Sequence, residues 1–594
     1  MAALLVAGLN NYPGSKLIYL LFSVMFWFTL LTGLGKRAHY GYLFLTVALW
    51  LGFWVKITAH LILKYPYVEP IGAFDASADA WDAVLWVAIM ASAGVMLGKL
   101  IFTLMGKQYS RVVGIDEAKV PMWYLANRNW IWPFALTLVL GIAVVNTILG
   151  IQQGGLVPRT VLPWPLNALI AVQVSIGSAL LITVLLWWEV SLKKSISASI
   201  YTLLIEAIAS TASLLSRGIY IFHTLPQLFS LFENRQGLVG LSRTKVVALI
   251  LAFLGLMVIS ISGVTTIRAY MYPHAGGFTT EEQKRLTRLE VLEGGIARVR
   301  ILIAQGEPQD GHLRELLAEK AQLEKGLKAA RLEVLEGGIA HVNKLIAQGE
   351  HQEGHLRELL AEKAQLDNGS MKNGVKSDAV ATGDKVGKAK SAASPDSSRD
   401  GLLENKDKLL SELYFQIGTG FLPRISALVV DRWIGLEGVM AVSAYPEKSS
   451  ALLFDAAKEK REIGKTTKFQ EISNSHYRWT DASNWQFASL PGAAAFLYFS
   501  GSLWVVLIGM ATFAFLLQLS EQWVFALTSN PLLCSLFGLT LANTIAQFGI
   551  APRQDIPFYS MILGFVLLVS VVQSDRVYAV IRKLRSYRDG RGAV

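Results

Sequence analysis

The chain has 594 residues, of which 53% are hydrophobic and only 17% charged, with a mean hydropathy of +0.41. That composition excludes an ordinary soluble domain and predicts an all-α polytopic membrane protein. The formal charge of +11 calls for no nucleic acid, because lysines and arginines gather in short loops beside apolar stretches, as cytoplasmic anchors do. A single cysteine, Cys534, rules out an intramolecular disulfide and argues against a CxxC metal site. Residues 1–16 lack a basic start and a long apolar core, so no cleaved signal peptide is expected.

A helical span needs about 20 apolar residues. Taken in chain order, the spans fall at roughly 16–34, 41–63, 80–104, 130–150, 164–188, 196–215, 246–265, 490–517, 523–544 and 557–574. Lys36 and Arg37, then Lys107, Arg111, Lys119 and Arg128, then Lys193 and Lys194 occupy alternate loops. The intervening loop 65–79 has no Lys or Arg, and 151–163 has only Arg159. The basic loops and the basic C-terminal tail are therefore expected inside and the others outside. The alternation closes only if residues 218–232 also cross, despite His223 and Pro226, giving about 11 transmembrane helices. Arg217, set in the apolar stretch 203–232, then lies at an external turn rather than at the midplane, where an arginine costs from about 3 to more than 10 kcal/mol.

The large hydrophilic block between the bundle 1–267 and the bundle and tail 489–594 is expected outside. Within it, 288–323 and 331–366 are near-identical units with a period of 43 residues. Leu289, Leu292, Ile296, Val299 and Leu302 recur at helical spacing, "AQGEPQDG" breaks the helix, and a second amphipathic stretch follows, so each unit reads as a helical hairpin. The repeat, 281–366, has the character of an insertion, and its charges read as a solvated face. Residues 367–410 have the composition of a disordered linker. Residues 411–488 return to a mixed composition that suits a segment folded against the membrane domain.

Costly residues are biased towards the outer side. Lys56 and His60 are four apart on one helix face in the outer half of the second span. Arg424, Arg432, His476 and Arg478 lie in the external segment. Intramembrane ionisable groups that face a bundle interior mark functional sites. The competing readings are a snorkelling lysine, a satisfied interior histidine and ordinary loop residues. Glu206, three turns below Arg217, reads as a hydrogen-bond acceptor in helix packing. An arginine-rich external site suits a lipid-linked anion, because the guanidinium grips phosphate with two prongs. No GxxxxGK[ST] or GxSxG motif occurs, and the nine histidines are scattered without a metal cage.

"SLLSRGIYIF" (213–222), "PRISALVVDRWIGLEGVMAV" (423–442) and "NSHYRW" (474–479) with "SLPGAAAFLYFSGSLWVVLIGM" (489–510) resemble the bacterial O-antigen polymerases and the related O-antigen ligases. The resemblance covers the membrane core and 421–517, not 281–410. It implies a C-type glycosyltransferase-like fold in the bacterial inner membrane with a large periplasmic loop. It also implies a polyprenyl-pyrophosphate-linked oligosaccharide donor and metal-independent transfer, with no cofactor, to a sugar hydroxyl. Arg217 and Arg432, with Arg424 or Arg478, would then hold the pyrophosphate, and His476 would orient or deprotonate the acceptor hydroxyl. The hairpins could recruit a chain-length regulator. Two alternatives stand beside the polymerase: an O-antigen ligase, and a lipid-linked saccharide flippase or other transporter. A transporter should show two related halves and charges through both leaflets, and neither is visible in the sequence.

Overall fold

The computed structural model describes residues 2–35, 38–64, 67, 69–106, 111, 120–163, 165–194, 196–234, 243–271, isolated positions between 314 and 364, 433–460, 466–473, 475, 489–550 and 552–573. Arg424, Arg432, His476 and Arg478 lie outside them, as do the 367–410 linker and most of the repeat. The repeat positions described are helical, and Lys363 pairs with Glu336, 27 residues earlier.

Every regular element among the described residues is a helix. They are α1 (Ala2–Asn11), α2 (Lys16–Leu34), α3 (Tyr40–Leu63), α4 (Ala78–Leu104), α5 (Met122–Leu149), α6 (Leu166–Ser191), α7 (Ser197–Leu214), α8 (Ile219–Glu233) and α9 (Arg243–Met271). After the hydrophilic block come α10 (Leu436–Ala444), α11 (Ser450–Lys458), α12 (Lys468–Ile472), α13 (Ala493–Tyr498), α14 (Leu503–Thr528), α15 (Pro531–Ala546) and α16 (Asp555–Val572). Eight of these helices are long and apolar enough to cross a membrane: α2 to α7, the stretch Val247–Val264 of α9, and α14. The chain is a helical, multi-pass membrane protein.

Two expected spans are redrawn. The stretch at 490–517 is broken at Phe499–Ser502, with Gly501 in a left-handed turn, and a continuous helix runs from Leu503 through residue 523 to Thr528. The next helix starts at Pro531, where Asn530 accepts the Leu533 N–H and the proline occupies a first-turn position that needs no N–H partner. Apolar composition alone could not locate either break. The fourth span also starts earlier than expected, at Met122.

Hydrogen bonds at the helix ends sort the connections into two sets. At one end, Gly154 N–H donates to the Leu214 carbonyl (2.7 Å), Gly72 N–H to the Ser473 carbonyl (3.0 Å) and Ser449 N–H to the Phe499 carbonyl (2.8 Å). At the other, Tyr40 meets Ser230 (2.9 Å), Asn234 donates to the Arg111 carbonyl (3.1 Å) and Trp123 donates to the Val572 carbonyl (3.4 Å). The short helix α8 starts at the first end and finishes at the second, a length of about 22 Å at 1.5 Å per residue. At fifteen residues it is shorter than any of the eight helices long and apolar enough to cross a membrane. Gly35, Arg111, Asn234 and Val572 share the second end, while Ser449, Ser473 and Phe499 lie at the first.

The apolar side chains form two clusters. One joins α2, α3, α4, α10, α13 and α14; the other joins α5 to α8 with α15 and α16. Glu521 of α14 ties the bundle together at the basic end. Its carboxylate accepts the N–H groups of Tyr40 (2.8 Å) and Gly41 (2.6 Å), the open donors at the start of α3.

A labelling experiment tests this arrangement. With Cys534 replaced, single cysteines at Asp75 and Lys460, both exposed, should react with an impermeant maleimide from one side of the membrane, and one at exposed Lys194 only from the other. Labelling of positions 75 and 460 from opposite sides would refute the two-ended arrangement.

Candidate functional site

The site is built where α10 enters the bundle. Trp50–Val55 of α3 forms a π-helical turn immediately before Lys56. Such a turn inserts a residue and rotates the face that follows, and it is frequent at functional sites. Here it leaves no room for a side chain at Gly52: a Cβ there would lie 2.4 Å from the Ile434 carbonyl oxygen. The 434–435 backbone is thus seated directly on α3. One turn of α10 further on, a Cβ on Gly438 would lie 1.9 Å from the carbonyl oxygen of Pro491. Two glycines let three backbones approach, and α10 is buried from Leu436 to Val442.

Glu437 is the only charged residue between 433 and 446. Lys56 donates to both of its carboxylate oxygens, at 2.6 and 2.8 Å, and the two side chains are 1% and 4% exposed. The ammonium lies seven residues, about 10 Å, inside the end of α3. Burial pushes the Glu437 carboxyl above the ordinary carboxylate range, and the Lys56 charge opposes that push. The carboxylate also sits in the first turn of α10, where the helix dipole favours negative charge. At the other end of α10, Lys448 donates to the carbonyls of Val442, Ser443 and Tyr445 and lies over the Tyr498 ring. Burial holds its ammonium below the ordinary lysine value. Opposite charges therefore clamp both ends of this nine-residue helix.

A cavity of about 40 Å³ remains beside the pair, lined by Lys56, Glu69, Glu437, Phe469 and Ser489 among others. It accommodates a few waters and is too small for a sugar phosphate. Lys56 and Glu437 consequently act on position: they fix the segment that begins at Trp433, directly after Arg432 in the chain.

Of the residues singled out by sequence, Lys56 and His60 both face the interior. His60 is 5% exposed and stacks on Tyr67, with ring centroids 3.9 Å apart. The snorkelling reading of Lys56 is thereby replaced by a buried ion pair. Arg217 occupies the turn between α7 and α8, half-buried, at the same end of the bundle. Its neighbour Tyr220 belongs to the second apolar cluster, whereas Ile57, beside Lys56, belongs to the first. Glu437 escaped sequence reasoning, although a lone acid in an apolar run is the natural counterpart of a lone intramembrane lysine. Among the described residues no three His, Cys, Asp or Glu side chains converge as a metal site requires.

No family model, curated protein or solved structure matches the chain.

Proposed function

We propose that this protein is a polysaccharide polymerase. It extends a surface glycan by transferring polyprenyl-pyrophosphate-linked oligosaccharide units at the membrane face opposite the basic loops, taken as the periplasmic face of a bacterial inner membrane. The supporting observation is the anchoring of α10 by Lys56 and Glu437, which holds the chain immediately after Arg432 at the end of the bundle that also carries Arg217. An arginine pair held there would grip a lipid pyrophosphate with its sugar in the aqueous layer.

In this reading the acceptor hydroxyl attacks the anomeric carbon of the donor, and His476 takes its proton. The bond from that carbon to the pyrophosphate oxygen breaks, and the electron pair leaves with the pyrophosphate. Arg217 and Arg432 stabilise the charge that develops on it, with Arg424 or Arg478 assisting. The fold expected for this chemistry is C-type glycosyltransferase-like with about eleven spans, and the inserted hairpins would serve a chain-length regulator.

The polymer ladder tests the proposal. Arg217→Ala and Arg432→Ala should each abolish polymer at unchanged membrane abundance, leaving single repeat units on the lipid core. Lysine at either position should restore only part of the ladder, since a point charge does not reproduce the two-pronged contact. A normal ladder from both alanine variants would refute the proposal. Loss of all glycan from the core on gene deletion would favour the ligase or flippase instead.

A further inference from the structure

A second buried ionisable pair lies far from α10, in the middle of the bundle. Glu206 sits at the centre of α7 and His223 one turn into α8, and they are 0% and 1% exposed. His223 Nδ1 lies 2.9 Å from Glu206 Oε1, and Nε2 lies 2.8 Å from the carbonyl oxygen of Ser175. That carbonyl belongs to a π-helical turn, Gln173–Gly177, in α6. A carbonyl can only accept, so Nε2 carries a hydrogen. The Nδ1–Oε1 contact also needs one hydrogen, on the ring or on the carboxyl. The pair as built is therefore net neutral and holds one shared proton.

The surroundings leave acceptors in excess. Ser210 donates to Glu206 Oε1 (2.7 Å), while the buried Oε2 has no partner among the described residues. Gln227, one turn beyond His223 on the same face, donates through Nε2 to Thr183 Oγ1 (3.0 Å). The single hydroxyl hydrogen of Thr183 goes to the Ala179 carbonyl (2.6 Å), so the Gln227 amide cannot be turned round. Its Oε1 is buried and likewise without a partner among the described residues. Two acceptor oxygens without donors, in a membrane interior, are costly unless a donor reaches them.

Other titratable groups on the packed elements have their own settings. Arg128, Tyr124 and Glu189 bond one another, and Glu233 pairs with Arg111. Tyr220 donates to the Phe253 carbonyl, and Cys534 to that of Glu521. Tyr201 is exposed, Arg217 lies six residues before His223, and Arg243, Lys245, Arg268 and Tyr270 occupy the end turns of α9.

We propose that Glu206 and His223 form a proton-binding site inside the membrane. Uptake of one proton converts the shared pair to a carboxylic acid and an imidazolium; release of one leaves a carboxylate and a neutral ring. Water admitted at Glu206 Oε2 and Gln227 Oε1 carries the proton in and out. This site stands independently of the glycosyl-transfer reading.

Infrared difference spectroscopy of the full chain in lipid nanodiscs, titrated with acid in light and heavy water, tests the proposal. A protonated-carboxyl band should appear on acidification, shift in heavy water, vanish in Glu206→Gln and persist in Asp455→Asn, which replaces an exposed acid. His223→Gln should move its midpoint by about 1–3 pH units, as loss of a charged neighbour does. Should Glu206→Gln fail to fold, Glu206→Asp retains an acid and must shift the band. A band unchanged by every substitution at 206, one insensitive to heavy water, or one whose midpoint follows sodium at fixed pH would overturn the proposal.

Discussion

Replacing Lys56 by methionine while Glu437 remains should destabilise the protein by about 3–5 kcal/mol, the cost of leaving one partner of a buried ion pair unmatched. The carboxylate stays beside the small cavity lined by Glu69, Phe469 and Ser489 but loses the cation that bonds both its oxygens. Glu437→Leu alone should also destabilise the protein, because the ammonium loses the carboxylate that accepts two of its bonds. The double variant Lys56→Met/Glu437→Leu should recover most of that loss, since two apolar side chains of similar volume avoid desolvating two charges. A double-mutant cycle on denaturant unfolding in mild detergent measures the coupling. Additive losses, with no recovery in the double variant, would show that the pair does not hold α10. On the proposed function, the double variant also separates fold from chemistry. A recovered fold with a recovered ladder means that Lys56 and Glu437 act through the position of α10.

Gly438→Ala should also be damaging, although it adds one methyl group. The new Cβ would fall 1.9 Å from the Pro491 oxygen and 2.7 Å from its carbonyl carbon, and both are backbone atoms that no rotamer change can withdraw. Overpacking of this kind costs about 1–3 kcal/mol and occasionally more. Here relief requires α10 to retreat from α13, which draws Glu437 away from Lys56. The variant should therefore lose polymer and part of its stability together, and Lys56→Met should add little in the Gly438→Ala background. Gly255→Ala in α9, where a Cβ meets nothing within 4 Å, is the control and should be neutral or slightly stabilising. Normal stability and a normal ladder in Gly438→Ala would mean that the close approach of α10 and Pro491 is not required.

Hydropathy and charge alone determined that this is a multi-pass helical membrane protein, and they located most of its helices. They could do so because lipid leaves the backbone one local solution, the helix, and because flanking lysines and arginines report which ends belong together. A helix at Ile219–Glu233 was legible as an apolar stretch, even though His223 and Pro226 weaken its signal. The tertiary structure alone decided the break at 499–502, because a turn between two apolar helices leaves no trace in hydropathy. It alone decided the partners of Lys56 and His223 as well. Glu437 is 381 residues from Lys56, and the Ser175 carbonyl that receives the His223 N–H is backbone, freed by a π-helical turn that no residue type announces. Periodicity reports which face of a helix is costly to expose; what stands opposite that face depends on how the helices pack.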